Sequence, residues 1–280
     1  MLTMKLPLNK LKRNRFLSFF RRTLYASTYY NRKYAQILRW GIRSREDTNY
    51  TYDLTEANII YLAQMITVIT KKDYPVILGY IHEARNDKPL IQFISSTIKN
   101  SSHRSTADLD IYFGRRLGWY AFVRALKPKV TVETGVDKGM GSVLLCAAIQ
   151  KNKEEGYEGH YIGTDINRNA GYLLSGKYAE SGKILYGDSI QSLTALDETI
   201  DLFINDSDHS ADYEYREYQT IKNKISKDAI ILGDNSHISD KLSQFSIETG
   251  RDFLFFREQP NNHWYPGAGI GISFTRNNSS

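Results

Sequence analysis

Five short apolar runs recur between residues 130 and 232 of the 280-residue chain, and amphipathic or polar stretches separate them. The runs are rich in β-branched and aromatic residues, so they predict buried strands over residues 130–132, 159–164, 183–186, 200–204 and 229–232. The intervening stretches, such as residues 211–225, predict helices. Strands and helices that alternate in this way predict a parallel sheet with helices on both faces.

Two further apolar runs close the pattern, over residues 253–257 and 269–274. Only residues 258–268 separate them, which is too short for a crossover helix. The pair is therefore predicted to form an antiparallel hairpin at one edge of the sheet.

The sequence before the sheet has a helical period. Thr55-Glu-Ala-Asn58 is typical of a helix start, and apolar residues follow at helical spacing up to Ile69. Shorter amphipathic segments over residues 76–85 and 89–98 complete a predicted helical cap. A polar link follows over residues 101–106. Next, a helix is predicted over residues 107–126, and its aromatic side chains are expected to pack in the core.

A glycine-rich turn joins the first predicted strand to an apolar helix over residues 143–149. Gly135, Gly139 and Gly141 permit backbone conformations that a Cβ forbids, and they let a ligand approach the main chain near free helix N–H groups. The Gly-x-x-x-Gly-x-Gly spacing differs from that of a dinucleotide site. Glu133, at the strand end, suits a ligand with an ammonium group. The alternative is a tight strand-to-helix turn without any ligand.

Each of the five predicted strands ends in an acid: Glu133, Asp165, Asp188, Asp206 and Asp234. Ligands of open α/β sheets bind at the carboxyl ends of the strands, so these acids are expected to converge. An acid that binds ribose hydroxyls usually follows the glycine motif by roughly 20 residues in the sequence, and Asp165 follows Gly141 at about that separation. Asp188 and Ser189 could hold an adenine edge. Helix capping is the structural alternative for these acids.

These motifs resemble those of class I S-adenosylmethionine-dependent methyltransferases. The resemblance is carried by Glu133-Thr-Gly-Val-Asp-Lys-Gly-Met-Gly, Gly163-Thr-Asp-Ile166, Gly187-Asp-Ser189 and Asp206-Ser-Asp-His209, and it spans residues 107–274. Within the family, the chain is most similar to the branch of macrolide-sugar O-methyltransferases and cephamycin-biosynthesis methyltransferase-like proteins. Ser207 departs from that branch's usual glycine. The resemblance implies a Rossmann-like seven-stranded sheet, mostly parallel with the last strand antiparallel, behind an N-terminal helical cap.

The resemblance also implies roles for individual residues. Asp165 would hold the ribose of S-adenosylmethionine, and Asp188 and Ser189 its adenine. Glu133 and the backbone of the glycine loop would hold the methionine portion. The further cofactor-binding residues are Gly135, Lys138, Gly139, Gly141, Ser142 and Asp206.

A magnesium site is implied as well, because metal-dependent O-methyltransferases bind the ion through acids after the fourth and fifth strands. Asp206, Asp234 and Asn235 match that pattern. In the alternative, Asp234 and Asn235 only begin a helix. His209 is the expected base that deprotonates a substrate hydroxyl, with Asp208 as the other candidate.

The expected reaction is O-methylation of a hydroxyl on a sugar, a glycan or a small polyhydroxylated metabolite. Two other functions are compatible with the sequence. One is an RNA methyltransferase that docks through a basic arm, and the other is a non-catalytic S-adenosylmethionine-binding protein. The sequence indicates neither the acceptor nor the oligomeric state.

The net charge of +6 comes from the N-terminus. Residues 1–45 contain twelve Lys or Arg and no acid, whereas the remainder carries 25 basic and 31 acidic residues. This arm could contact an anionic membrane surface, nucleic acid or a phosphorylated carrier, but a solubilising arm that packs its aromatic residues on the domain is the preferred interpretation. The predicted organisation is a basic arm over residues 1–50, a helical cap over 51–105 and a methyltransferase domain over 106–280.

No apolar run approaches the roughly 18 residues that a membrane span requires, and no signal peptide is recognisable, so a cytoplasmic location is expected. The one cysteine, Cys146, lies in the apolar helix and is predicted to be a buried thiol.

Overall fold

A seven-stranded sheet dominates the computed structural model, which describes residues 15–46, 51–208, 210–234 and 236–275. The strand order is β3-β2-β1-β4-β5-β7-β6. The strands are β1 (Val130–Thr134), β2 (His160–Asp165), β3 (Gly182–Tyr186), β4 (Ile200–Asn205), β5 (Ile225–Gly233), β6 (Asp252–Arg257) and β7 (Gly269–Phe274). β7 pairs antiparallel with both β5 and β6, and the other pairs are parallel. The predicted fold class is confirmed.

Helices cover the sheet and precede it. They are α1 (Arg15–Arg43), α2 (Glu56–Thr70), α3 (Tyr74–Arg85), α4 (Lys88–Lys99), α5 (Arg116–Leu126), α6 (Met140–Glu154), α7 (Ser189–Ala195), α8 (Ala211–Ile221) and α9 (Lys241–Glu248). Short 3-10 turns lie at Ser102–Ser105 and Gly176–Ser181.

The central strands are buried on both faces, which explains their continuous apolar sequence. On one face, Val132 of β1, Phe203 of β4 and Ile231 of β5 pack in a cluster with Tyr218 of α8 and Phe245 of α9. Hydrophobic burial of this set fixes the sheet against its helices. The strand order reverses between β2 and β4, on either side of β1, so the ligand crevice of such a sheet is expected at the carboxyl ends of β1 and β4.

The cap helices begin where their sequence signals predict. Thr55 Oγ1 accepts a hydrogen bond from the Asn58 N–H at 3.3 Å and caps α2. Asp87 caps α4 by accepting from the Leu90 N–H at 2.9 Å. These helices belong to the same compact unit as the sheet, which spans residues 46–261 and 266–280. The division of the chain at residue 105 stays a prediction.

A second compact unit holds α1 together with residues 262–265. Within this unit, Trp40 of α1 contacts the rings of His263 and Trp264 edge-on, with centroids 6.3 and 5.3 Å apart. In the described residues, no helix is long and apolar enough to cross a membrane.

Some element bounds differ from prediction. The helix expected over residues 107–126 begins only at Arg116, because Gly114 takes a left-handed φ of +52° and packs on the Tyr52 ring, where a Cβ would come within 2.7 Å of a ring carbon. The helix expected up to residue 225 ends at Ile221, and β5 begins at Ile225. The late start of α5 places two arginines, Arg115 and Arg116, at its N-terminus.

Candidate active site

The glycines of the β1–α6 turn allow the protein to pack closely on itself. Gly135 and Gly139 have φ values of +82° and +89°. A Cβ on Gly135 would collide with the carbonyl oxygen of Asp206, and one on Gly141 would collide with the Glu133 carboxyl group. A Cβ on Gly139 would come within 3.0 Å of the Gly171 backbone. The protein therefore occupies the space on the Cβ side of these glycines.

Asp165 lies at the tip of β2, next to the glycine turn. Its Oδ2 accepts a hydrogen bond from the Asp137 N–H at 2.8 Å, and its Oδ1 accepts one from the Asn167 N–H at 2.7 Å. A carboxylate oxygen accepts two hydrogen bonds, so each oxygen keeps capacity for a ligand hydroxyl. The side chain is partly exposed. The same carboxylate also holds the backbone of the turn in place. Its contact with ribose stays a prediction.

Glu133 is enclosed by the protein. It is 1% exposed, and its Oε2 accepts hydrogen bonds from the Ser142 hydroxyl at 2.9 Å and from the Tyr161 hydroxyl. Burial raises the pKa of Glu133 to about 7, and the two hydroxyl donors only partly offset this. Ser142, another predicted cofactor residue, is fully buried in the same cluster.

Asp188 and Ser189 form the start of α7. Asp188 Oδ1 accepts from the Gln191 N–H at 2.9 Å, which is the capping role that the sequence left as an alternative, and its Oδ2 accepts from the Tyr213 hydroxyl at 3.0 Å. The Ser189 hydroxyl donates to Glu217. These hydrogen bonds are internal to the protein, so the adenine contact of Asp188 and Ser189 stays a prediction.

Asp206 and Asp234, at the ends of β4 and β5, lie in a buried ionic cluster. The Arg115 guanidinium donates to both carboxylate oxygens of Asp234, and its Nη1 donates to the Tyr52 hydroxyl at 2.9 Å and to Glu258 Oε1 at 3.4 Å. Asp234 is 2% exposed and Glu258 1%. Burial raises the pKa of the Asp234 carboxyl, but Arg115 outweighs burial and holds it below its usual range.

Asp206 belongs to the same cluster and faces a second arginine, Arg116. Arg116 lies 3.9 Å from the Asp206 carboxyl, so two guanidinium groups face three acids, Asp206, Asp234 and Glu258. Burial and the neighbouring Asp234 raise the pKa of Asp206 well above its usual range.

This arrangement does not fit the predicted magnesium site. Both oxygens of Asp234 bind Arg115, so the guanidinium already supplies the positive charge that a divalent ion would bring. Among the described residues, no group of three His, Cys, Asp or Glu side chains could hold a metal. Asn235, the third predicted ligand, lies outside the described residues.

The predicted base cannot be placed, because His209 lies outside the described residues. Asp208, the alternative, is exposed, and its Oδ1 accepts from the Ser210 N–H at 2.8 Å. Ser207 donates to the buried Glu217 at 2.6 Å, a carboxylate that also accepts from Thr134. The loop after β4 is thereby tied to the core.

A pocket opens beside the glycine turn. Lys138 and Met140 of the turn line it, together with Arg116, Tyr112 and, across from them, Tyr172. Of the predicted cofactor residues, Lys138 is the one that reaches this lining. The five strand-end acids do not line it.

The lining carries charges of both signs, since Arg116 and Lys138 are basic and Glu46 and Asp108 are acidic. The Nε of Arg116 is buried and makes no hydrogen bond within the described part of the chain. No side chain caps α6, which begins at Met140 on the pocket wall. A guanidinium N–H and the open first turn of a long helix together suit a carboxylate or phosphate.

Sequence reasoning missed the basic half of this site. Arg115 and Arg116 form an adjacent pair directly after Gly114, a signal that the over-long predicted helix hid. Tyr52 and Glu258 are separated by 206 positions, yet their side chains meet at 2.9 Å. Nothing in the local sequence of either residue indicates that contact.

One family model matches the central part of the chain. Residues 132–236 match the model of a family described as "Methyltransferase domain", which is less than half of the chain. No curated protein matches.

Solved structures resemble the chain at low identity. An S-adenosylhomocysteine-bound methyltransferase of Podospora anserina, PaMTH1, is 16% identical, with 68% of this chain and 88% of that chain covered and a TM-score of 0.48. The O-methyltransferase TomG of Streptomyces achromogenes is 12% identical, with coverages of 66% and 89% and a TM-score of 0.47. A putative O-methyltransferase of Klebsiella pneumoniae is 13% identical, with coverages of 77% and 96% and a TM-score of 0.46.

Proposed function

We propose that the chain is a class I S-adenosylmethionine-dependent methyltransferase. The observation that carries the proposal is the position of the family match. Residues 132–236 run from β1 to the end of β5, and they include the glycine turn and the tips of β2 and β4. The antiparallel β7 between β5 and β6 is the strand arrangement that the sequence resemblance implied.

Two groups of polar residues support the proposed binding of this ligand. Arg116 and the uncapped start of α6 offer N–H donors for the carboxylate of the methionine portion, and Lys138 adds positive charge on the same pocket. Asp165, beside the turn, keeps acceptor capacity for the two ribose hydroxyls. Asp188 and Ser189 are the proposed adenine contacts.

The proposed reaction is O-methylation of a sugar, a glycan or a small polyhydroxylated metabolite. S-adenosylmethionine would supply a methyl group carried on a sulfonium. The chain's part is to orient the acceptor hydroxyl and to take its proton, on His209 or on Asp208. Because Arg115 already pairs with both oxygens of Asp234, magnesium is not part of the proposed reaction.

Calorimetric titration with S-adenosylhomocysteine tests the proposal. We expect the wild-type protein to bind, and Asp165→Ala to bind at least about tenfold more weakly, because hydrogen bonds to a charged group contribute roughly 1.5–3 kcal/mol each. Glu158→Ala is the matched control. It removes an exposed acid just before β2, at the opposite end of that strand from Asp165.

Two results would contradict the assignment. Absence of heat from the wild-type protein at millimolar ligand would remove the cofactor site altogether. Equal affinities for wild type and Asp165→Ala, with both variants folded by circular dichroism, would remove the ribose role of Asp165 alone.

A further inference from the structure

Helix α1 is long, basic and unburied. It runs for 29 residues from Arg15 to Arg43, contains seven Lys or Arg and no acid, and has no buried residue. Large apolar side chains are unusually exposed along it, for example Leu24 at 69% and Ile42 at 84%. Exposed apolar surface on this scale marks an interaction site.

Helical geometry sorts these residues into two faces. At about 100° per residue, the basic side chains fall in one sector of roughly 120°, here called the basic face, which comprises Arg21, Arg22, Arg32, Lys33, Arg39 and Arg43 with Arg15 at its start. The opposite sector, here called the apolar face, contains Leu17, Phe20, Leu24, Ile37, Leu38 and Ile42. No acid interrupts either face.

The basic face and the apolar face together indicate what kind of partner binds α1. Nucleic acid would neutralise the basic face but leave the apolar face in water. A second copy of the helix could cover the apolar face but would not neutralise seven like charges. An anionic lipid surface satisfies both faces, because acidic headgroups meet the cations while apolar side chains enter the headgroup and acyl boundary.

We propose that α1 docks the protein in the plane of an anionic membrane surface, with its apolar face inserted and its basic face on acidic headgroups. The helix lies along the surface and does not cross it, since its polar face runs its full length of about 43 Å. This inference is independent of the proposed methyltransferase activity. It replaces the preferred sequence interpretation of a solubilising arm.

Co-sedimentation of the full chain with lipid vesicles tests the proposal. We compare vesicles of phosphatidylcholine alone with vesicles that contain one part phosphatidylglycerol to two parts phosphatidylcholine. Wild type is expected to bind the anionic vesicles at least about tenfold more tightly than the neutral ones. Each face is then weakened separately, by Leu24→Gln with Leu38→Gln and by Arg21→Gln with Arg22→Gln. Glutamine keeps the helix propensity in all four positions.

Both double variants are expected to lose about tenfold or more in vesicle affinity. The matched controls are Ile247→Gln, an apolar residue exposed at 78% in the sheet-containing unit, and Lys72→Gln with Lys227→Gln, two exposed cations of the same unit. These controls are expected to bind vesicles as wild type does. Affinity for S-adenosylhomocysteine is expected to stay unchanged in every variant, which keeps this test separate from that of the proposed function.

Two outcomes would overturn the proposal. In the first, the wild-type protein does not sediment with anionic vesicles and stays in the supernatant. The other is a loss of affinity in the arginine variant with none in the leucine variant, since this shows attraction by charge alone. A random single-stranded RNA is titrated in parallel, and RNA binding without vesicle binding would assign the arm to nucleic acid instead.

Discussion

Replacement of Arg115 by methionine removes the one guanidinium that binds Asp234 on both oxygens. Methionine keeps an unbranched, flexible side chain of similar reach, so the change is mainly electrostatic. It leaves Asp234 and Glu258, exposed at 2% and 1%, without their shared cation, and it deprives the Tyr52 hydroxyl of a donor. The free energy of unfolding is therefore expected to fall.

The size of the loss follows from the burial of the acids. Breaking a buried ion pair by removal of one partner costs about 3–5 kcal/mol, because the remaining charge stays buried and unpaired. At roughly 2–4 °C per kcal/mol, the melting temperature of Arg115→Met is expected to drop by about 6–20 °C. Adding Asp234→Asn is expected to recover part of this loss, since it removes the stranded charge.

Equilibrium unfolding in urea measures the free energies. Lys151→Met is the matched control, because it breaks an exposed pair with Glu154 at 2.9 Å in which the side chains are 40% and 64% exposed. Such surface pairs contribute about 0–1 kcal/mol. If Arg115→Met costs no more than Lys151→Met, the cluster does not hold the site together and the electrostatic reasoning is wrong.

Three further results are expected. Burial raises the pKa of Glu133 from 4.5 to about 7, so ionisation of this carboxyl destabilises the fold as pH rises through that window. From pH 5 to pH 8, urea unfolding should show that wild type loses about 2.5 kcal/mol more stability than Glu133→Gln. Equal pH dependence in the two proteins would refute this. Gly135→Ala should lower the free energy of unfolding clearly more than Gly250→Ala does. Both glycines have positive φ (+82° and +67°), but only at Gly135 would a Cβ collide with a backbone oxygen. Equal losses in the two variants would contradict the close contact between Gly135 and Asp206. Millimolar magnesium, compared with a chelator, should leave both the melting temperature and the affinity for S-adenosylhomocysteine unchanged. If the affinity is tenfold higher with magnesium than with the chelator, the predicted magnesium site would be supported after all.

The fold could be predicted because its signals are local. Val130 to Val132 and Ile200 to Ile204 are short apolar runs between helical stretches, and this alternation is enough to specify a parallel sheet. The short link before Gly269 likewise specified the antiparallel strand. Predicted strand ends agree with the structure within a few residues, except that β5 begins at Ile225 instead of residue 229.

The chemistry of the site was less predictable, because it depends on distant contacts. An aspartate at a strand end has the same sequence signal whether it binds a metal, caps a helix or pairs with arginine. Asp188 caps α7, and Asp234 binds Arg115, 119 positions away. The start of α5 at Arg116 depends on how Gly114 meets Tyr52, and no periodicity reports that packing.

The amphipathic arm lies between these two cases. Its charge and its apolar content are evident in the sequence, but the sorting of both onto opposite faces requires one uninterrupted helix from Arg15 to Arg43. The structure supplies this helix, and membrane docking is our proposal for it.

A crystal structure of the protein with S-adenosylhomocysteine tests the central claim most directly. The account predicts that the ligand lies along the glycine turn, with both ribose hydroxyls within about 3.2 Å of the Asp165 carboxylate and the amino-acid carboxylate against Arg116. A ligand bound elsewhere, or crystals grown at saturating ligand without density along the turn, would contradict it.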